Sequence, residues 1–324
     1  MFNPNQWDAG PTGLTFPSWI HLMRLHDVGL CPTQSGSITK SLAAVETLIA
    51  NLIECPDTSV DGLPSTAAQA AARHLTAGGK RIRARLALHA ALACDMKDTD
   101  GVVLAAVSEL LHNASLVHDD IQDQTPTRRG FDALWASHGV DVALCAGDLM
   151  LSAAYAALAG LSDTTRLPAL LMLIHNRTSV AIRGQCADLA ADAADKIDVP
   201  RYEAIAVAKS GALLGLSLEI VFTASGNEAL SLQARIAVEH FAIGYQIADD
   251  IVDLADDVRT QKVALNIVPI LGGGASALFE ARWLAQRHLR AAAAAALGLP
   301  HGAGNLLRDL ALRLAATLSP VAAS

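Results

Sequence analysis

The stretch Glu109-Leu110-Leu111-His112-Asn113-Ala114-Ser115-Leu116-Val117-His118-Asp119-Asp120-Ile121-Gln122-Asp123 decides how this chain is read. With Val103 and Val107 upstream, Leu110, Leu111 and Ala114 recur at three- and four-residue intervals, the period of a helix that buries one stripe. The spacing predicts a helix from about Thr99 to Asp123, broken by Thr125-Pro126. At 3.6 residues per turn, Asp119 and Asp123 leave the helix on one side, and Ser115 and His112 share that face.

The pattern returns as Asp249-Asp250-Ile251-Val252-Asp253, again after an apolar helical run, Phe241 to Ala248, with Gln246 on the face of the aspartates. Carboxylates crowded in this way repel one another unless a cation lies between them. Hard oxygen donors, few in number and leaving room for phosphate oxygens and water, suit Mg²⁺. One Asp-rich helix end reads equally well as a solvated terminus. Two copies of an uncommon pattern, each at the rim of an apolar run, favour a metal.

Outward from these two helices the chain keeps the same period. Helices are expected at 37–54, 65–76, 81–94, 138–161, 164–192, 200–210, 212–225, 229–255, 275–297 and 303–317, and no segment alternates with period two for long. Ala and Leu dominate the 52% apolar content while aromatics supply only 4%, so helix formers far outnumber strand formers. The expected fold is all-α, with one helical domain over 38–324 and a loosely ordered Pro-, Gly- and Thr-bearing extension over 1–37.

The net charge of −8 argues against a general nucleic-acid binder. The charge-free run between Asp148 and Asp163 falls short of the roughly 20 apolar residues of a membrane span, so a buried core helix and no transmembrane segment are expected. Five scattered cysteines without a C-x-x-C pair fit a reducing cytoplasm, and the first residues lack the basic start and apolar run of a signal peptide.

Two basic segments complement the acidic ones. Gly78-Gly79-Lys80-Arg81-Ile82-Arg83-Ala84-Arg85 sets a loose turn against a helix start, a ready anion site. Arg128-Arg129-Gly130 follows the first Asp cluster, and Arg suits multidentate phosphate contacts. Alone, either is a solvated run; together with two acidic clusters they suggest a diphosphate held between metal and cations.

These residues resemble the trans-isoprenyl diphosphate synthases, the polyprenyl synthetase family, over roughly residues 40 to 270 and in the family's order. Gly78 to Arg83 is similar to its Gly-Gly-Lys-Arg-x-Arg-Pro, with Ala84 for Pro. Glu109 to Asp123 resembles its first aspartate-rich motif and Arg128-Arg129-Gly130 the sequel. Gly147-Asp148-Leu149, Gly184 to Asp188 and Lys209-Ser210 look like further landmarks, and Gly244 to Asp253 resembles the second motif, Tyr245 standing for the frequent Phe.

The resemblance implies an antiparallel bundle around an apolar cavity, usually homodimeric, that joins isopentenyl diphosphate to an allylic diphosphate with Mg²⁺. It places Lys80, Arg83, His112 and Arg129 on the isopentenyl diphosphate. Arg128, Lys209, Ser210 and Gln246 fall to the allylic partner, with Lys262 in place of a family Lys after the second motif. Asp119, Asp123 and Asp249 become the leading metal ligands, with Asp120, Asp250 and Asp253 in support. Asp119, Asp123, Lys209 and Asp249 are the residues expected to carry catalysis. In the family bulky side chains just before the first motif floor the cavity. Ala114 and Ser115 are small, so a geranylgeranyl-length product is expected, with Leu111 one turn deeper as a cap.

Farnesyl or longer products are the alternatives. A terpene synthase on the same fold would lose part of the second basic set, which is retained here. A non-catalytic partner subunit would have eroded Asp clusters; only the shortened segment after Asp253, with its second Lys missing, favours it.

Overall fold

The computed structural model describes residues 32–54, 65–191, 197–260 and 264–318. Among them the helices are α1 (Pro32–Glu54), α2 (Thr66–Thr76), α3 (Ile82–Ala93), α4 (Asp98–Gln122), α5 (Leu134–His138), α6 (Val140–Ala157) and α7 (Leu167–Leu189). After these come α8 (Val199–Ala206), α9 (Ala212–Ala224), α10 (Ser231–Thr260), α11 (Ile267–Ile270), α12 (Gly274–Leu297) and α13 (Asn305–Thr317). The only sheet among the described residues is a hairpin of two-residue strands, β1 (Thr127–Arg128) and β2 (Phe131–Asp132).

Most boundaries fall within four residues of those read from the sequence. Two do not. The first helix begins at Pro32, five residues before Ser37, and α10 runs to Thr260 because no Gly or Pro interrupts it after Gly244. The extra turn carries Asp257 back to Asn266, whose amide also grips the Asp250 carbonyl at 2.8 Å. Short α5, α11 and the hairpin carry no long periodicity and were invisible to it.

Helix α9 is apolar on every side, Ala-Leu-Leu-Gly-Leu-Ser-Leu-Glu-Ile-Val-Phe, and a helix of that kind can only be buried. It packs against α3, α4, α7 and α10 at once, so it forms the axis around which the others stand. Both aspartate-bearing helices, α4 and α10, lean on it. Helix α4 opens with Asp98 and Asp100 in its first turn, which complements the helix dipole; Asp100 also accepts the Ser162 backbone N–H at 2.8 Å and its hydroxyl at 2.6 Å.

Among the described residues three helical stretches are long and apolar enough to cross a membrane by length and composition: 98–122, 140–160 and 199–224. The first and third are largely inside the bundle. The second, expected as a buried core helix, is the least covered, with Leu144 and Tyr155 exposed. One face of α6 packs on α2 and α4, and the other stays open.

Candidate functional site

Construction of the site begins at the glycines before α3. Gly78 and Gly79 take φ of 90° and 140°, a region side chains rarely enter, and a Cβ on Gly79 would lie 3.0 Å from the Arg129 guanidinium. Arg129 reaches this turn from the hairpin and donates to the Gly78 carbonyl. The hairpin achieves that reach with positive φ at both central residues, Arg129 (54°) and Gly130 (82°), a turn whose twist suits paired strands. Arg81, also left-handed at φ 50°, donates to the Leu75 carbonyl at 2.6 Å and starts α3.

Below this turn Glu109 of α4 accepts the backbone N–H of Ala84 at 3.0 Å, satisfying one orphan donor of the α3 N-terminus. Arg83 is thereby fixed beside it. Loss of water pushes the Arg83 guanidinium down to about 10, and the Glu109 carboxylate opposes that change. Burial, then Arg83 and Arg129, drive His112 well below the ordinary histidine range, so its imidazole is neutral. His74 on α2 is held at about 4 by burial and by Arg129 and Arg128. Lys80 is lowered by burial as well. Arg83 and Arg129, read from separate stretches, thus form one cationic corner around the neutral His112, with Lys80 next to the Gly79 turn that Arg129 packs on. A pocket lined by Arg73, His74, Arg128, Arg129 and Phe131 opens on its outer side.

At the first acidic helix end, Asp119 is half-buried and its carboxyl is pushed up to about 6. Burial is the main cause, Lys209 and Arg128 oppose it, and Asp123 and Asp120 reinforce it. Asp120 is 1% exposed and turned the other way. Arg128 Nε lies 2.8 Å from both of its oxygens, with Nη2 2.6 Å from Oδ1. Gln122 accepts from Gln185 of α7 at 3.0 Å, tying this end to the neighbouring helix.

Lys209 and Ser210 sit in a π-helical turn, Val207–Gly211, between α8 and α9. Such bulges widen the helix and re-aim its side chains. Gly184 of α7 permits the approach, since a Cβ there would clash with the backbone nitrogen of Lys209. Lys209 pairs with Asp188 of α7 and lies in the field of Asp123 and Asp119, and those carboxylates raise its ammonium above the ordinary range against the pull of burial.

At the second end, Asp249 is pushed up to about 6 by burial and then by Asp253 and Asp257. Asp250 is 6% exposed and engaged on both oxygens. Gln246 donates to Oδ1 at 3.0 Å; the Tyr202 hydroxyl (2.7 Å) and the Ile267 N–H (2.9 Å) reach Oδ2. Its carboxyl stands near 7, burial outweighing these three donors. Tyr245, one turn before Asp249, feels Asp249 and Asp253 on its own helix and Arg83 across from it, and burial with those carboxylates pushes its phenol to about 12. The cationic corner and the second acidic end therefore share a border at Tyr245, as the first end shares one with Lys209.

Two sequence expectations change. Asp120 and Asp250 were counted as supporting metal ligands; the structure turns both into the fold, because a position one residue after the outward-facing Asp lies a third of a turn round the helix. Gln246, expected on the allylic substrate, holds Asp250. Lys262 lies outside the described residues. The sequence reading missed Tyr202, His74 and the capping role of Glu109; a Tyr after a Pro-started helix gave no signal, whereas Glu109, in the middle of an apolar face, was one.

No three His, Cys, Asp or Glu side chains among the described residues are gathered closely enough to hold a metal alone. The donor chemistry nevertheless fits Mg²⁺, which is bound through one or two carboxylates plus phosphate oxygens and water. Asp119 and Asp249 are carboxylates raised by desolvation and by other carboxylates, the condition that a cation relieves.

A profile of the polyprenyl synthetase family matches residues 65–266. Over 219 residues the chain is 32% identical to a (2E,6E)-farnesyl diphosphate synthase of Mycobacterium tuberculosis, which covers 64% of this chain and 61% of that protein. It is 29% identical over 215 residues to a geranylgeranyl diphosphate synthase of the same organism, covering 62% of this chain and 61% of that one. The chain thus matches about three-fifths of the length of these curated relatives. Among solved structures, geranylgeranyl pyrophosphate synthetase from Pyrococcus horikoshii superposes with a TM-score of 0.74 over 87% of this chain and 99% of that one, at 23% identity, a likeness of fold. The fold is the helical bundle of the isoprenoid synthases, and the chain belongs to the polyprenyl synthetase family.

Proposed function

We propose that the protein is a Mg²⁺-dependent prenyltransferase that condenses isopentenyl diphosphate with an allylic diphosphate. One observation carries this reading: of two outward-facing acidic positions, Asp119 stands beside Lys209 and Arg128, and Asp249 meets, across Tyr245, a separate basic corner at Arg83 and Arg129. One diphosphate fits between carboxylate-bound metal and Lys209; the other needs only cations. Two anion sites of different kinds suit a reaction with two diphosphates, one of which leaves. Cleavage of an allylic diphosphate alone has no use for the second.

Mg²⁺, when bound, neutralises charge developing on the departing diphosphate. Asp119, Asp123, Asp249 and Asp253 would hold it, Asp253 by its place one turn after Asp249. Lys209 and Arg128 present further positive charge to the same group, preorganised in a site of reduced water content. Lys80, Arg83 and Arg129 anchor the second diphosphate, so that its alkene meets the allylic carbon as a bound neighbour rather than by collision. The neutral His112 donates one hydrogen bond there. The apolar faces of α4 and α9 keep water from the allylic cation. The proton lost at the end needs no protein base, since the released diphosphate accepts it.

Ala114 and Ser115, one turn below Asp119, leave room for a tail past the farnesyl stage, which favours a geranylgeranyl-length product. Exposed apolar side chains on α6 and α7 (Leu144, Tyr155, Leu171, Met172 and Ile182) suit burial against a second copy, a homodimer in the cytoplasm. Incubation with isopentenyl diphosphate and each of dimethylallyl, geranyl and farnesyl diphosphate, with and without Mg²⁺, tests the reading. Metal-dependent products one or more five-carbon units longer than the primer are expected. A cyclic hydrocarbon formed without isopentenyl diphosphate, or no turnover with any primer, refutes it.

A further inference from the structure

Helix α12 puts its bulk on the side away from the core. Its buried face is mostly alanine, from Ala277 to Ala296, with Leu284 and Leu289. Its larger apolar side chains meet water instead: Phe279 is 69% exposed, Leu297 63% and Trp283 53%. A helix that only fills a core turns such residues inward. Positions 279, 283, 290 and 297 follow at four- and seven-residue steps, so Phe279, Trp283, Arg290 and Leu297 form one stripe. Arg287 flanks it, its Cζ 5.2 Å from the centroid of the Trp283 ring.

Neighbouring α13 runs antiparallel to α12. Gln286 Nε2 donates to the Ala315 carbonyl at 3.4 Å, and Gly304 packs on Ala296. That register sets the exposed Leu312 and Arg313 about level with Arg290. Charge follows the same asymmetry. Residues 264–318 hold five arginines and two acids, Glu280 and Asp309, in a chain of net charge −8. Asp309 is taken up by Arg308 at 2.7 Å. The aromatic stripe is therefore set in a basic patch on an acidic protein. Helix α12 packs chiefly on α10, α11 and α13, none of which is a main neighbour of α6 or α7. A second copy seated on α6 and α7 would leave the stripe open.

We propose that this face of α12 docks the protein, lying flat, on an anionic lipid surface. Phe279, Trp283 and Leu297 enter the boundary between headgroups and acyl chains, where an indole keeps its ring dry and its N–H wet. Arg287 and Arg290 meet the lipid phosphates, each worth about a fivefold gain in binding near an anionic surface. Glu280, Arg282, Arg287 and Arg290, all within the one helix, keep it from crossing the bilayer. Helices α10 and α12 are antiparallel, with His240 Nδ1 3.0 Å from His288 Nδ1 and Gln233 Nε2 3.2 Å from the Ala295 carbonyl. By that register Phe279 and Trp283 stand level with Asp249, so the aromatic end of the docked face lies at the height of the second acidic helix end.

The full chain is sedimented with vesicles of phosphatidylcholine alone and of phosphatidylcholine with phosphatidylglycerol in equal parts. Binding to the anionic vesicles is expected to exceed that to the neutral ones by about 25-fold, two arginines at about fivefold each, and to fade with added salt. Phe279→Gln with Trp283→Gln should weaken it by about tenfold or more, and Arg290→Gln by about fivefold. Should the double variant not fold, fluorescence decides. Lipid brominated along its acyl chains should quench the wild type, and Trp283→Phe, which still binds, should lose part of that quenching. Absence of binding to anionic vesicles, binding unaltered by these substitutions, or equal quenching of Trp283→Phe overturns the proposal. So does a double variant whose oligomeric state changes while no vesicle is bound, since the face then belongs to a second copy. No substrate enters these measurements, so their failure leaves the condensing function untouched.

Discussion

Asp120 and Asp250 hold the same place in two copies of one pentapeptide, and the fold secures them by different means. Asp120 is gripped by a single guanidinium, Arg128, from a hairpin that follows at once in the chain. Asp250 is held by a phenol, an amide and a backbone N–H drawn from α8, α10 and α11. The outward carboxylates differ in the same sense. Asp119 stands among Lys209, Arg128 and other carboxylates, whereas Asp253 and Asp257 are the charges that act on Asp249 among the described residues. The pentapeptide thus dictates which carboxylates leave the helix together, and the tertiary partners decide what the remaining one does. The first end sets its outward carboxylate among cations and carboxylates together; the second sets it beside other carboxylates on a scaffold of neutral donors.

The largest expected effect separates outward from inward aspartates. Asp119→Asn should lower kcat by about 10³-fold, as loss of a preorganised charge contact does, while leaving the thermal midpoint within a degree or so of wild type. Asp250→Ala should do the reverse in kind. It strands three buried donors and should reduce stability by about 3 kcal/mol in denaturant titration, at roughly 1 kcal/mol or more for each. An Asp119→Asn protein that stays active, or an Asp250→Ala protein of wild-type stability, would abolish the distinction.

Next in size is the contrast between the two supports. Arg128→Met leaves the Asp120 charge buried and unpaired, which typically costs about 3 kcal/mol. Tyr202→Phe removes only one of three neutral donors from Asp250 and should cost about 1 kcal/mol. The ordering is the content of the prediction. If denaturant midpoints show Tyr202→Phe to be the more damaging, the second end depends on one bond and not on a shared set.

How far the sequence carried this contrast is itself physical. That Asp119 shares a face with Asp123, and Asp249 with Asp253, follows from helical period alone, since i and i+4 must share a face whatever surrounds them. Helix α9 was legible because an all-apolar helix has only the interior to go to. The inward turn of Asp120 was not read from the sequence, where it counted as a metal ligand, and neither was its partner: Arg128 reaches back through a hairpin whose tight turn rests on a left-handed Arg129, a conformation with no strong sequence signal outside Asn and Gly. Tyr202 and Ile267 are far from Asp250 in sequence, and only packing brings them to it. The π-helical turn that aims Lys209 is equally silent, because a one-residue widening leaves the apolar pattern on either side intact.

The smallest effect tests the two outward carboxylates as a pair. Both stand near 6, above the usual carboxylate range, so each is partly protonated around pH 6 and ionised at pH 8. Metal binding requires the ionised form, so Mg²⁺ taken up with diphosphate at pH 6 should release about half a proton from each, and almost none at pH 8. The sign follows from the direction of the shift: apparent Mg²⁺ affinity should weaken as pH falls through 6 and level off above 7. Calorimetry in two buffers of different ionisation enthalpy reads the released protons directly. Asp249→Asn should halve the release at pH 6, because the Asp119 share remains. A release untouched by that substitution would mean that the second end does not take the metal, and the symmetry of the two pentapeptides would then extend to sequence alone.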